Sequence, residues 1–125
     1  MGRRKSLAPS IREMIDGDTV AIYVISKGDV EVKIGVSRNV GNRALGLQTS
    51  NSSELAVYWA TRLERSDAYR LEKYIHDALR KTINHIRGEW YAMAPETAVQ
   101  IVKNAIKKLQ LKTIVDIRFG FGEAA

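Results

Sequence analysis

Neither a Ser-His-Asp nor a Cys-His set can be assembled from this chain, and no glycine loop of the phosphate-cradling kind occurs. The two histidines, His76 and His85, bring no second set of ligands, so a zinc centre is not expected. What remains is a scattered polar set: Tyr23, Lys33, Arg43, Glu72 and His76. These are a phenol, an ammonium, a guanidinium, a carboxylate and an imidazole, groups that together can hold an anion, a cation and a proton. Singly, each has a plainer use. A helical arginine such as Arg43 usually lies on the surface, a glutamate beside Lys73 is usually solvated, and a strand tyrosine usually packs. Two spacings begin to gather the set. Glu72 and His76 stand four apart and share one helix face, and Tyr23 and Lys33 fall on the two arms of one hairpin.

That hairpin, Val20 to Val36, reads VAIYVISKGDVEVKIGV. Its first arm sets Val20, Ile22 and Val24 on one face and Ala21, Tyr23 and Ile25 on the other. Its second sets Val30, Val32, Ile34 and Val36 opposite Glu31, Lys33 and Gly35. Both arms are β-branched and alternate with period two, which predicts an antiparallel pair turning at Lys27-Gly28-Asp29. Matching the aliphatic faces requires an even register. With Gly28 at the centre, Tyr23 falls opposite Lys33, their Cβ atoms roughly 5 Å apart. A cross-strand packing pair is the plain reading of that juxtaposition.

The other elements follow in order. Pro9 opens a short helix through Ile11, Met14 and Ile15, stopped by Gly17. Ser37-Arg38-Asn39 can cap a helix carrying Val40, Arg43, Ala44 and Leu47 and ending near Leu47 or Gln48. Leu55 to Arg62 is a third strand candidate. Ser66-Asp67 starts a helix whose Ala68, Leu71, Ile75, Ala78 and Leu79 face inward. Arg87 to Tyr91 is a loop leading into a short extended piece. From Pro95 a helix turns Ala98, Ile101, Val102, Ala105, Ile106 and Leu109 inward and Lys103, Lys107 and Lys108 outward. Thr113 to Phe119 has strand propensity, and the glycines after it suggest fraying.

The 125 residues fit one domain able to bury a real core. It divides into a basic N-terminal arm and short helix (1–18), a central domain (19–110) and a C-terminal extension (111–125). The absence of cysteine excludes disulfides and thiolate metal sites. No apolar run approaches the roughly 18 residues needed to span a membrane. The Met-Gly-Arg-Arg-Lys start has no hydrophobic stretch after it, so a cytoplasmic protein without membrane partners is expected. Twenty Lys and Arg against 14 Asp and Glu leave a charge of +6 and a pI near 9.7, which favours a polyanionic partner such as nucleic acid.

Five ordered motifs resemble the GIY-YIG endonuclease superfamily, in particular its compact branch of stand-alone phage and bacterial domains. Ile22-Tyr23 resembles the end of the first element, with Ala21 in place of its glycine. Lys33-Ile34-Gly35 is similar to the second, with lysine replacing its first tyrosine. NRALGLQT resembles the arginine helix, Leu71-Glu72 to His76 the glutamate helix, and Gly88-Glu89-Trp90-Tyr91 the closing signature. The resemblance covers roughly residues 20 to 95.

It implies an α/β (α+β) fold, a small antiparallel three-stranded sheet flanked by helices, and metal-dependent hydrolysis of DNA phosphodiesters. By the same resemblance, Tyr23 would act as, or help position, the general base. Arg43 would hold the scissile phosphate, and Glu72 would bind Mg²⁺ (or Mn²⁺). Those roles suit the chemistry. A guanidinium offers planar bidentate donors to phosphate, and Mg²⁺ needs only one or two carboxylates beside waters and substrate oxygens. A phenol of pKa about 10 is a poor base at neutral pH, and a Lys33 ammonium beside it would favour the phenolate. Lysine could instead bind phosphate directly. His76 could position substrate or water, orient Glu72, or hold a core hydrogen bond. Glu89 and Trp90 are expected to close the fold, Trp90 as core. DNA would be the partner. The domain would be weakly selective, recruited by another protein, or dependent on its basic arms with Lys103, Lys107 and Lys108, and a recruiting protein or a homodimer is the further partner expected. A non-catalytic nucleic-acid-binding or adaptor domain on the same fold is the alternative.

Overall fold

The computed structural model describes residues 18–116, so the expected N-terminal helix and the last nine residues lie outside it. The chain runs β1 (Thr19–Lys27), β2 (Glu31–Ser37), α1 (Val40–Thr49), β3 (Leu55–Glu64), α2 (Arg65–Leu79), β4 (His85–Arg87), β5 (Trp90–Tyr91), α3 (Pro95–Lys108) and β6 (Thr113–Asp116). Among the described residues it is an α+β fold with three helices about one antiparallel sheet in the order β4-β5-β2-β1-β3-β6. Among the described residues the sheet therefore has six strands and not the expected three. The additional strands are short pieces at the two edges, too brief for a period-two pattern to stand out.

β1 is central, and every residue from Thr19 to Ser26 is buried. Its Val20, Ile22 and Val24 join Val32 and Ile34 of β2 under α2 and α3, which contribute Leu71, Ile75, Ala98 and Val102. Its Ala21, Tyr23 and Ile25 face the other way, with Val40 and Ala44 of α1. The sheet is thus sandwiched, with α1 on one face and α2 and α3 on the other. β3 serves both faces through a bulge: Val24 pairs with Trp59 but Ile25 with Val57, leaving Tyr58 over. The extra residue reverses the alternation, so Leu55 and Val57 pack toward α1 while Leu63 packs toward α2.

The hairpin register differs from the expected one. Lys27 pairs with Glu31 and Tyr23 with Gly35, so Lys33 stands opposite Ile25. The connection is Gly28-Asp29-Val30, with Gly28 at a φ of +66° that suits glycine, and Val30 is 72% exposed in the turn. The register remains even, so the aliphatic faces still match, but Tyr23 lies over a glycine.

α1 begins as its residues predict. The Asn39 side chain accepts from the Asn42 amide at 3.0 Å, and the Ser37 hydroxyl accepts from the Asn39 amide. At its other end the Gln48 amide group donates to the Ser53 carbonyl (2.9 Å) and accepts from the Leu55 amide (2.7 Å), fastening the helix to the start of β3. α2 buries its predicted stripe apart from Ala78, which is exposed, and α3 buries Ala98, Val102 and Ala105 while Ile101, Ile106 and Leu109 are half-buried. Among the described residues no helix is long and apolar enough to cross a membrane.

Candidate functional site

β5 pairs with β2 only at Val32 and Lys33, so the outer edge of β2 opens from Ile34 onward. Backbone groups there need other partners. The Ile34 amide donates to the Glu89 carbonyl at 3.2 Å. The Ile34 carbonyl accepts from Nε2 of His76, 3.0 Å away. A carbonyl can only accept, so Nε2 carries the ring proton and Nδ1 accepts the Tyr91 hydroxyl at 2.5 Å. Tyr91 is fully buried and stacks on the imidazole, centroids 5.6 Å apart and planes at 19°. Burial pushes the His76 pKa down, against the opposing pull of Glu89, which suits this neutral imidazole. Of the roles open to His76, the structure supports a buried hydrogen bond that stands in for a missing strand partner.

Around His76 lie two carboxylates. Glu72, one helical turn earlier, brings Oε2 within 3.9 Å of His76 Nε2, and Glu89 brings its own Oε2 to the same distance. One donor atom from each of Glu72, His76 and Glu89 falls within 4.8 Å of the others, a group that could hold a metal ion. Glu89 also receives the Lys33 ammonium at 2.8 Å. This asymmetry separates the two acids. Burial, then the neighbouring charge of Glu89, pushes Glu72 up to about 7. Burial alone would raise Glu89 as well, but its hydrogen bond and attraction to Lys33 prevail and hold it below the usual range.

The third component comes from the opposite face of the sheet. The Tyr23 side chain is fully buried, and among the described residues its hydroxyl is the one buried side-chain polar atom without a hydrogen-bond partner. It reaches the site by crossing Gly35. A Cβ at that position would come within 2.7 Å of Tyr23 Cζ and 3.2 Å of Glu89 Oε1, so only glycine lets the ring lie there. Burial pushes the Tyr23 phenol up to about 12. The Arg43 guanidinium opposes that rise, while Glu89 and Glu72 add to it. Arg43 is exposed on α1, facing the hydroxyl without a hydrogen bond of good geometry. α1 and α2 thus lie on opposite faces, and the charges of Arg43 from one and Glu72 from the other both act on the Tyr23 hydroxyl.

Tyr23, Lys33, Arg43, Glu72 and His76 are therefore brought together, with one expectation corrected. Lys33 does not stand opposite Tyr23: the register sets it beside Ile25, on the same face as the phenol, and Glu89 takes its ammonium. Burial raises the Tyr23 pKa, so the phenolate is not favoured. The α3 lysines stand apart. Lys103 lies over the Trp59 ring at 5.9 Å on β3, two strands from β2, and Lys107 and Lys108 end the same helix. The sequence reading missed the place of Glu89, expected only to close the fold, and of Tyr91. Trp90 is half-buried against the α1-side cluster, with Tyr91 taking the core position. Arg62 was missed too. Almost wholly buried, it donates to the Thr19 hydroxyl (3.0 Å) and the Arg38 carbonyl (3.0 Å), which fixes the turn leading to α1 and Arg43.

Fold and site together define a small α+β domain with an acid-histidine group at a strand edge. Residues 20–106 match the model of the T5orf172 domain, and the chain belongs to that family. No curated protein and no solved structure matches the chain.

Proposed function

We propose that this domain is a metal-dependent endonuclease of GIY-YIG type that hydrolyses DNA phosphodiester bonds. The observation that carries the reading is the meeting, at one strand edge, of an unpartnered buried phenol (Tyr23), an exposed guanidinium (Arg43) and a carboxylate group (Glu72 with Glu89). The donor set suits a divalent cation. Two carboxylates crowd together, and the charge of one raises the pKa of the other, a repulsion that a dication relieves. Mg²⁺ or Mn²⁺ would be held at Glu72 and its neighbours, and when bound would supply positive charge to phosphate oxygens and the leaving alkoxide.

The chain's own residues supply the rest. Arg43 lies exposed on α1 beside the Tyr23 hydroxyl and can take two non-bridging oxygens of one phosphate in a bidentate grip. Tyr23 keeps its proton. With a pKa of about 12, only about one phenol in 10⁵ is ionised at pH 7. Its hydroxyl therefore orients the attacking water or a phosphate oxygen, and it is a positioning group more than a base. The reaction adds one water, breaks one P–O ester bond, and leaves a phosphate monoester and an alcohol.

A non-catalytic nucleic-acid-binding or adaptor domain on the same fold is the rival, and the Lys33–Glu89 pair is the observation on its side, since it takes up an ammonium expected to serve catalysis. Supercoiled, linear, single-stranded and branched DNA, each incubated with Mg²⁺, Mn²⁺ or chelator, separates the two. Metal-dependent cleavage of any form supports the enzyme. Salt-sensitive binding without cleavage supports the rival.

A further inference from the structure

We infer that a cation at this site is held by Glu72 and Glu89 through oxygen alone, and that His76 is a positioning residue withheld from coordination. The inference rests on the metal-dependent part of the reading above. Three donors converge, but they are not equivalent. Both nitrogens of the imidazole are already engaged: Nε2–H donates to the Ile34 carbonyl at 3.0 Å, and Nδ1 accepts from the buried Tyr91 hydroxyl. The nitrogen nearest the two carboxylates is the one that carries the proton. Ligation would require that proton to leave and would turn a lone pair toward the Ile34 carbonyl oxygen. That oxygen would lose its donor on the β5 side of the strand, where among the described residues the pairing has ended. Stacking against Tyr91 also fixes the plane of the ring, so it cannot turn aside to serve both partners.

The two glutamates have no such commitment. Glu72 shares its hydrogen bond with Glu89 itself, and Glu89 gives Oε1 to Lys33 while its Oε2 lies toward the site. An independent feature points to a ligand in the same place. The Tyr23 hydroxyl, in a residue with no exposed surface, ends among these acids with no partner of its own. An oxygen-only donor set suits hard cations such as Mg²⁺ and Mn²⁺, and lacks the nitrogen and sulfur ligands common at Zn²⁺ sites. His76 then serves the cation indirectly, by clamping Ile34 and so fixing the adjoining Lys33 and Gly35.

Mn²⁺ provides the probe, because its EPR signal reports binding and its electron spin echo modulation reports a directly coordinated ¹⁴N. The full chain is titrated as wild type, Glu89→Gln and His76→Gln. The glutamine at 76 can still donate an N–H toward the Ile34 carbonyl. The expected results are no directly bound nitrogen in the wild type, and affinity reduced at least about tenfold by Glu89→Gln. His76→Gln should weaken Mn²⁺ less than Glu89→Gln does, since it keeps the clamp. A directly coordinated nitrogen overturns the inference. So does a folded His76→Gln variant that weakens Mn²⁺ as much as Glu89→Gln, and so does a wild type that binds no Mn²⁺. If the glutamine variant does not fold, the echo spectrum of the wild type decides alone. The nuclease reading fails separately: a chain that binds Mn²⁺ through oxygen but never cleaves DNA removes the enzyme and leaves this ligand set standing.

Discussion

Replacing Glu72 by glutamine should make the metal-free protein more stable at high pH. The carboxyl is pushed from 4.5 to about 7 by burial and by Glu89. Between those values the folded state binds more protons than the unfolded one, so stability falls as pH rises. The glutamate's contribution is therefore fully present below about pH 4.5 and is lost as pH rises through about 7. A shift of about 2.5 units corresponds to at most about 3.4 kcal/mol. Glu72 keeps 19% of its side-chain surface, and the opposite shift of Glu89 offsets part of the effect, so about 1 to 2 kcal/mol is the working figure. Glutamine has similar size and helix propensity and cannot ionise. With chelator present, Glu72→Gln should match wild type near pH 5 and melt about 4 to 8 °C higher at pH 8. Mn²⁺ should raise the wild-type midpoint at pH 8 more than at pH 5.5, and should leave the variant nearly unmoved. Thermal unfolding followed by circular dichroism across this pH range reads all of it. A variant less stable than wild type at pH 8 would refute the crowding of the two carboxylates.

Gly35→Ala should place a methyl against the Tyr23 ring, 2.7 Å from Cζ, and cost about 1 to 3 kcal/mol in urea unfolding; an unchanged midpoint would mean that the ring does not need the gap. Arg43→Ala, at an exposed helix position, should leave stability within about 0.5 kcal/mol while reducing both DNA affinity and cleavage. Loss of cleavage with full affinity would assign it another role. Reversing Lys107 and Lys108 should weaken DNA binding and flatten its salt dependence without altering the response to metal. An unchanged slope would make them a solvated helix end.

The parts of the fold readable in advance are those with a long period. The arms of the hairpin alternate over many residues, and α2 and α3 carry clear apolar stripes. The exact register did not follow, because Val30 has a strand's side chain and yet lies in the turn. β4 and β5 are too short to show any period, and β3 hides its bulge because Tyr58 resembles its strand neighbours. The site divides in the same way. Glu72 and His76 are linked by helical spacing alone. Glu89 and Tyr91 join them only because a short strand ends beside Ile34, which is a tertiary fact. The Tyr23 pKa was misjudged for a related reason: a strand position indicates a neighbour but not complete burial, and burial decides its direction.

The central claim is most directly tested by cleavage of supercoiled and branched DNA by wild type and Glu72→Gln, each with Mn²⁺ and with chelator. The account predicts wild-type cleavage that requires the metal and falls by orders of magnitude in Glu72→Gln, since several kcal/mol of charge stabilisation are lost and about 1.4 kcal/mol is tenfold in rate. DNA binding without metal should persist in the variant, because one negative charge has left a surface facing phosphate. A wild type that binds DNA but never cleaves it with Mg²⁺ or Mn²⁺, with Glu72→Gln indistinguishable from it, would contradict the account.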